Sequence, residues 1–306
     1  MNKSESTLPA TRESTIPLTF AKALAAHPDH AEQNEDFAII DNLTGLAVLC
    51  DGVGSVMGAA QASRTAARAA RRHWRRILAE ASTTSEPLDA PKLTELVQQL
   101  MMAINQAVIR LDARLLRNLA EADRPRHLAK TTIVLTLLYP QETGYLLTWA
   151  HVGDSRIYLL RQHEALQRLT IDDGYFLYLM QHNEINEQDA ARIDQASSPD
   201  QLTEKEREHF GKRNGITQAL GDRTIVIHIG QTAISPGDRV LLCSDGIHDN
   251  LTDEEIERFL RQGARTTVAR TLLREALLRS REDAEIQIRA KKDDMSAVVI
   301  TCLPPA

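Results

Sequence analysis

Aspartates stand at the ends of apolar runs throughout this chain. Asp36 sits in Asn34-Glu35-Asp36, just ahead of the run that opens at Phe37. Asp51 follows a run at 46–50 and leads into Gly52-Val53-Gly54-Ser55. Asp154 lies in Gly153-Asp154-Ser155-Arg156, between two apolar runs. Asp245 follows the run that ends at Cys243 and precedes Gly246, and Asp293 and Asp294 precede the last run. One such aspartate carries no message, because turns use Asp routinely. Five such strand ends are different. If those ends meet, several carboxylates share one small volume, where like charges repel and unpaired burial is costly. A divalent cation is the simplest resolution. Oxygen donors without His or Cys among them favour Mg²⁺ or Mn²⁺ over Zn²⁺. Glycine directly after Asp51 and Asp245 lets the backbone come close to an ion, so the Gly52 carbonyl is a candidate ligand too. Ordinary turn chemistry at separate strand ends is the competing reading, and spacing alone leaves both open.

The elements that must position these residues are legible as apolar patterns. Strands are expected at 37–40, 46–50, 132–138, 145–150, 156–160, 225–229, 239–243 and 295–302, most of them bounded by Gly, Asp, Asn or Pro. Two long helices are expected. The first, at 57–78, repeats Ala59, Ala62, Ala66, Ala70, Trp74 and Ile77 at helical spacing, and the second, at 91–119, has Pro91 in its first turn. Later helices are expected at 253–261, capped by Thr252, and at 266–278. Strands, helices, strands, helices and a last strand do not make a regular βαβ alternation. The order predicts an α+β fold with antiparallel sheets and packed helices. Residues 172–215 are polar and only weakly helical in pattern; they read either as a flap-like excursion or as a small structural subdomain.

The whole chain has 306 residues, 42% of them hydrophobic and 25% charged, with a net charge of −6. That balance argues against general nucleic-acid binding. No run is long and apolar enough to span a membrane, and residues 1–16, rich in Ser, Thr, Glu and Pro, hold no signal-peptide core. They are expected to be a disordered tail, with a single domain over 17–306. Cys50, Cys243 and Cys302 are too few and too scattered for a disulfide framework, and read as buried thiols of a reducing compartment. Arg64, Arg68, Arg71, Arg72, Arg75 and Arg76 read as a solvated helix face paired with nearby acids. Ser155 and Ser244 lack the Gly-x-Ser-x-Gly elbow of a serine hydrolase. Of the histidines, only His151 and His248 flank acidic blocks.

The ordered blocks NED (34–36), DGVGS (51–55), KTT (130–132), GDSRIYLL (153–160), LTIDDG (169–174), ITQALGD (216–222), CSDGIHDN (243–250) and DDMSAVVI (293–300) resemble the type 2C (PPM) family of metal-dependent protein phosphatases, in its compact bacterial branch. The resemblance implies two stacked antiparallel β-sheets flanked by helix pairs, an αββα sandwich. It implies that Asp36, Asp51, the Gly52 carbonyl, Asp245 and Asp293 hold two Mn²⁺ or Mg²⁺ ions. Asp154 would hold a third together with Asp245, and residues 172–215 would be the flap. Asp51 and Asp245 carry the catalytic role. The implied reaction is hydrolysis of phosphoserine or phosphothreonine on proteins by a metal-bridged water, without a covalent intermediate. The implied setting is cytoplasmic, opposing a Ser/Thr kinase.

Departures from the family pattern qualify this. Ala31 stands where the family carries a phosphate-gripping arginine, five residues before the NED aspartate. A bidentate guanidinium is hard to replace. His27 or His30, or a more distant cation such as Lys130, could take its place. Otherwise the chain is a phosphatase-fold regulatory or binding module with little turnover. Ser55 replaces a glycine, and Val53 and Asp173 stand where many relatives carry histidine, which removes a histidine general acid at either place.

Overall fold

A computed structural model describes residues 17–54, 56–82, 88–120, 127–284 and 286–304, with the side chain of His30 left out. The expected tail at 1–16 and the Ser55 departure lie outside the described residues. The described residues form two antiparallel sheets of five strands each. One sheet holds, in spatial order, β1 (Leu18–Ala25), β10 (Met295–Cys302), β9 (Arg239–Cys243), β6 (Arg156–Leu160) and β7 (Gln167–Arg168). The other holds β2 (Phe37–Asp41), β3 (Leu46–Cys50), β4 (Ile133–Gln141), β5 (Gly144–Val152) and β8 (His228–Ile234).

The strands alternate between two covered faces, which is why β3, β6 and β10 are buried along their whole length. Ala47 and Leu49 of β3 meet Ile157, Leu159, Val240, Leu242, Val298 and Ile300 of the opposite sheet in a central layer. Their chain neighbours Leu46, Val48 and Cys50 turn outward, against the helix pair α1 (Ala59–Ala81) and α2 (Ala90–Arg117). On the far side Leu241, Cys243, Met295, Ala297 and Val299 pack on α7 (Asp253–Gln262) and α8 (Val268–Arg279). The result is the helix–sheet–sheet–helix stack that the resemblance implies. Alanines dominate the buried face of α1, so its backbone lies close to sheet and partner helix. The Asp89 carboxylate caps α2, with Pro91 in the first turn, and Thr252 forms a capping box with Glu255 on α7.

Residues 172–215 leave this stack as α3 (Tyr175–Gln181), α4 (Glu187–Asp194) and α5 (Glu204–Gly211), with a small core of their own from Ile193, Ala196, Leu202 and Phe210. A one-turn α6 (Asp245–His248) follows β9 directly.

Candidate metal centre

Sheet register brings the predicted aspartates to one end of the sandwich. Phe37 pairs with Cys50, so Asp36 and Asp51 flank the same end of the β2–β3 ladder. Ile133 pairs with Val152, which sets the Thr131-Thr132 pair beside the Gly153-Asp154 turn. Ala297 pairs with Cys243, which sets Asp245 beside the Asp293-Asp294 turn. Because the sheets stack, these ends face one another, and Ser244 Oγ bridges them by donating to Asp36 Oδ2 at 2.7 Å.

Neighbouring backbone and hydroxyls hold each carboxylate-bearing turn. Thr131 Oγ1 donates to the Asp51 carbonyl at 2.7 Å, and the Asp51 N–H donates to Thr132 Oγ1 at 3.2 Å. The Thr132 and Ser155 hydroxyls are 2.8 Å apart, tying Asp51 to the Asp154 turn. Asp294 accepts the His27 N–H at 3.0 Å and the Glu35 N–H at 2.6 Å, fastening the Asp36 loop to the entry of β10. The two glycines have a steric reason of their own. A Cβ on Gly52 would stand 2.7 Å from the Ala59 backbone, and one on Gly246 would stand 1.9 Å from the Asp294 carbonyl oxygen.

Crowding shows in the electrostatics. Burial, joined by the charges of Asp293 and Asp245, pushes the Asp36 carboxyl up to about 8 against the Ser244 hydrogen bond. Asp51 is pushed well above the usual carboxylate range by burial first and then by Asp36, Asp245, Asp293 and Asp154. Burial and then Asp245 do the same to Asp154. Burial raises Asp245 to about 6 although Lys291 opposes it. Carboxyls that each resist ionisation in company are stabilised by a multivalent cation.

The donor set fits a hard divalent ion. Oδ1 of Asp36 and Oδ1 of Asp245 are buried and accept no hydrogen bond. As the side chains stand, no three carboxylates, imidazoles or thiols among the described residues are gathered closely enough to share one ion. The ammonium of Lys291 lies among them, bonded to Asp245 Oδ2, 2.9 Å from Asp249 Oδ2 and 3.1 Å from Asp293 Oδ2. Neither Lys291 nor Asp249 is among the site candidates that the sequence offers. Ser244 and Asp294 are also missed there as positioning groups.

The remaining sequence candidates have other partners. Lys130 Nζ pairs with Asp222 at 2.6 Å. Ala31 is exposed at the end of a single 3₁₀ turn over Pro28–His30. Arg64, expected on a solvated face, instead donates from Nη2 to the Asn34 carbonyl at 3.3 Å, which brings a guanidinium to the NED loop. Arg75 on the same helix does pair with an acid, Asp41, at 2.6 Å. Asp173 accepts the Gly153 N–H at 2.9 Å and lies 2.8 Å from His228 Nε2. Burial holds His248 down to about 3, so its ring is neutral; its Nε2 lies 3.1 Å from the Asp154 carbonyl. A cavity of about 360 Å³ opens beside Gly52, lined by Val53, Val56, His127, Lys130, Thr217 and Gln218 among others.

Comparison with known proteins points one way. The family model of protein phosphatase 2C matches residues 25–281. The serine/threonine phosphatase Stp of Listeria monocytogenes is 23% identical over 217 residues, 71% of each chain. The serine/threonine protein phosphatase PstP of Mycobacterium tuberculosis is 34% identical over 113 residues, 37% of this chain and 18% of its own. The crystal structure of the catalytic domain of PstP in complex with two manganese ions superposes with a TM-score of 0.65 at 24% identity, covering 94% of this chain and 100% of that one.

Proposed function

We propose that this chain, which belongs to the protein phosphatase 2C family, is a manganese- or magnesium-dependent phosphatase of protein phosphoserine and phosphothreonine, its ions held by Asp36, Asp51, the Gly52 carbonyl, Asp245 and Asp293, with Asp154 joining Asp245 at a third position. The observation that carries this assignment is the gathering of these aspartates at one end of the sandwich, where strand register sets Asp36 beside Asp51 and Asp245 beside Asp293, and Ser244 links the two sheets through Asp36. Bound at these residues, such ions would supply a water of lowered pKa and positive charge opposite the phosphoryl oxygens.

The chain's own groups do the rest. Asp51 is the carboxylate central to the set, and the Thr131–Thr132 hydroxyls fix where it points. Ser244 orients Asp36. The serines of the two acidic blocks act as positioning groups, with Ser244 Oγ bound to Asp36 and Ser155 Oγ to Thr132. With a metal-held water as the nucleophile, hydrolysis would need no phosphoenzyme. The cavity beside Gly52 receives the residues flanking the phosphoamino acid. Phosphorylated proteins are the substrates, and a Ser/Thr kinase is the opposing enzyme. A bacterial cytoplasm is the setting, which buried free thiols at Cys50, Cys243 and Cys302 support.

The test is hydrolysis of a phosphothreonine peptide with Mn²⁺, with Mg²⁺ and with EDTA, using Asp245→Asn as the blank. Turnover that needs the metal and disappears in the variant is expected. Equal turnover in Asp245→Asn would remove Asp245 from the site. Metal binding without turnover would leave a phosphatase-fold binding module.

A further inference from the structure

Lys291 is held in the acidic centre by more than its own ion pairs. Asn250 grips its backbone from both sides: Oδ1 accepts the Lys291 N–H at 3.1 Å, and Nδ2 donates to the Lys291 carbonyl at 2.9 Å. The same Asn250 amide donates to the Gly246 carbonyl at 2.8 Å, so the lysine and the Asp245 turn are tied to one side chain. Two residues earlier, the fully buried Arg289 guanidinium donates to the carbonyls of Asp194, Ala196, His248 and Leu251. With both flanks fastened, the side chain is directed at Asp245, Asp249 and Asp293. Asp249 has a second cation, with Arg213 Nε at 3.5 Å from its Oδ1, whereas Asp293 pairs with Lys291.

We propose that Lys291 is an internal counter-cation that occupies one cation position of the centre and competes with a divalent ion for Asp245 and Asp293. The inference rests on the assignment of those two aspartates as metal ligands. Two cations within a few ångströms of each other in a partly dry site repel strongly, so an ion loads at Asp245 and Asp293 when the ammonium swings out. Competition of this kind is reciprocal: whatever Lys291 adds to the metal-free fold it withdraws from the affinity of that ion. The lysine thereby keeps the carboxylates compensated when metal is scarce and raises the metal concentration at which the centre fills.

Lys291→Gln separates the possibilities, with Lys291→Arg as the variant that keeps the charge. Mn²⁺ binding is followed by titration calorimetry, and melting temperature is recorded in EDTA and in saturating Mn²⁺. Lys291→Gln should bind its weakest Mn²⁺ on the order of tenfold more tightly than wild type. It should melt lower in EDTA and gain more from Mn²⁺ than wild type does, while Lys291→Arg stays close to wild type in both. A lysine with only a structural role would lower both melting temperatures alike and leave Mn²⁺ affinity unmoved, and that result overturns the proposal. If wild type and Lys291→Gln both fail to bind Mn²⁺ while still folded, the ligand assignment itself falls and takes the proposal with it.

Discussion

Gly246 illustrates how residue-scale geometry sets the centre. Its sequence context suggested close approach to an ion, but the structure supplies a different neighbour, the Asp294 carbonyl, 1.9 Å from where a Cβ would stand. Gly246→Ala should therefore push the Asp245 turn away from the Asp293-Asp294 turn. The expected cost is about 2–3 kcal/mol, read from urea denaturation, together with weaker Mn²⁺ binding in calorimetry. A stable variant with unchanged binding would show that the turns have slack. The arginine missing at Ala31 is also a residue-scale question. Arg64 is the side chain that reaches the NED loop from α1, through the Asn34 carbonyl. If its guanidinium serves the phosphate, Arg64→Ala should raise KM for a phosphopeptide about tenfold or more, the scale of one lost charged hydrogen bond, and leave kcat within a few-fold. An unchanged KM would exclude it.

At the scale of elements, the strands covered on both faces were plain in the sequence, because each is a short apolar run with a turn residue at its end. The bounds of β3, β6, β9 and β10 coincide with the expected ones. Edge strands were not plain. β1 was missed: exposed Lys22 interrupts its pattern, and what defines it is pairing with β10 from Leu18↔Cys302 to Ala25↔Met295. The run expected at 225–229 pairs only from His228 onward, since β5 ends near the His151↔His228 pair; Ile225 and Ile227 instead pack on the helix layer. The aspartates at strand ends were legible for the same reason as the strands, whereas Lys291, Ser244 and Asp294 depend on contacts between distant segments. Arg289 belongs with these, and it links elements: its guanidinium joins the carbonyl at the end of α4 to the last carbonyl of α6 and to that of Leu251. Arg289→Met would strand those carbonyls and loosen residues 187–215 from the sheets. Limited proteolysis should then cut within 187–215 at least tenfold faster than in wild type, while a core reporter such as Trp74 stays protected. Equal cleavage rates would mean that the small Ile193–Phe210 core suffices.

The layers of the molecule explain what pH does to it. Cys50, Cys243 and Cys302 fall in three different apolar layers, so no redox pairing couples them. Buried His151, by contrast, stacks on half-buried His228 across the β5–β8 ladder, with ring centroids 4.6 Å apart. Burial first, and then the charge of His228, hold His151 down to about 4, although Asp173 and Asp172 pull the other way. An unfolded histidine titrates near 6.5. Between those two values the unfolded chain binds a proton that the folded chain refuses, so stability is fully present above about pH 6.5 and is lost as pH falls toward 4. By pH 4 this amounts to a loss of about 3 kcal/mol. His151→Leu fills this buried position with an apolar side chain and removes the titrating group. Denaturant unfolding of both proteins from pH 7 to pH 4 should show wild type losing that much more stability than the variant, since the carboxylates common to both cancel in the difference. Parallel curves would mean that His151 is protonated in the folded state, with Asp173 and Asp172 overcoming its burial.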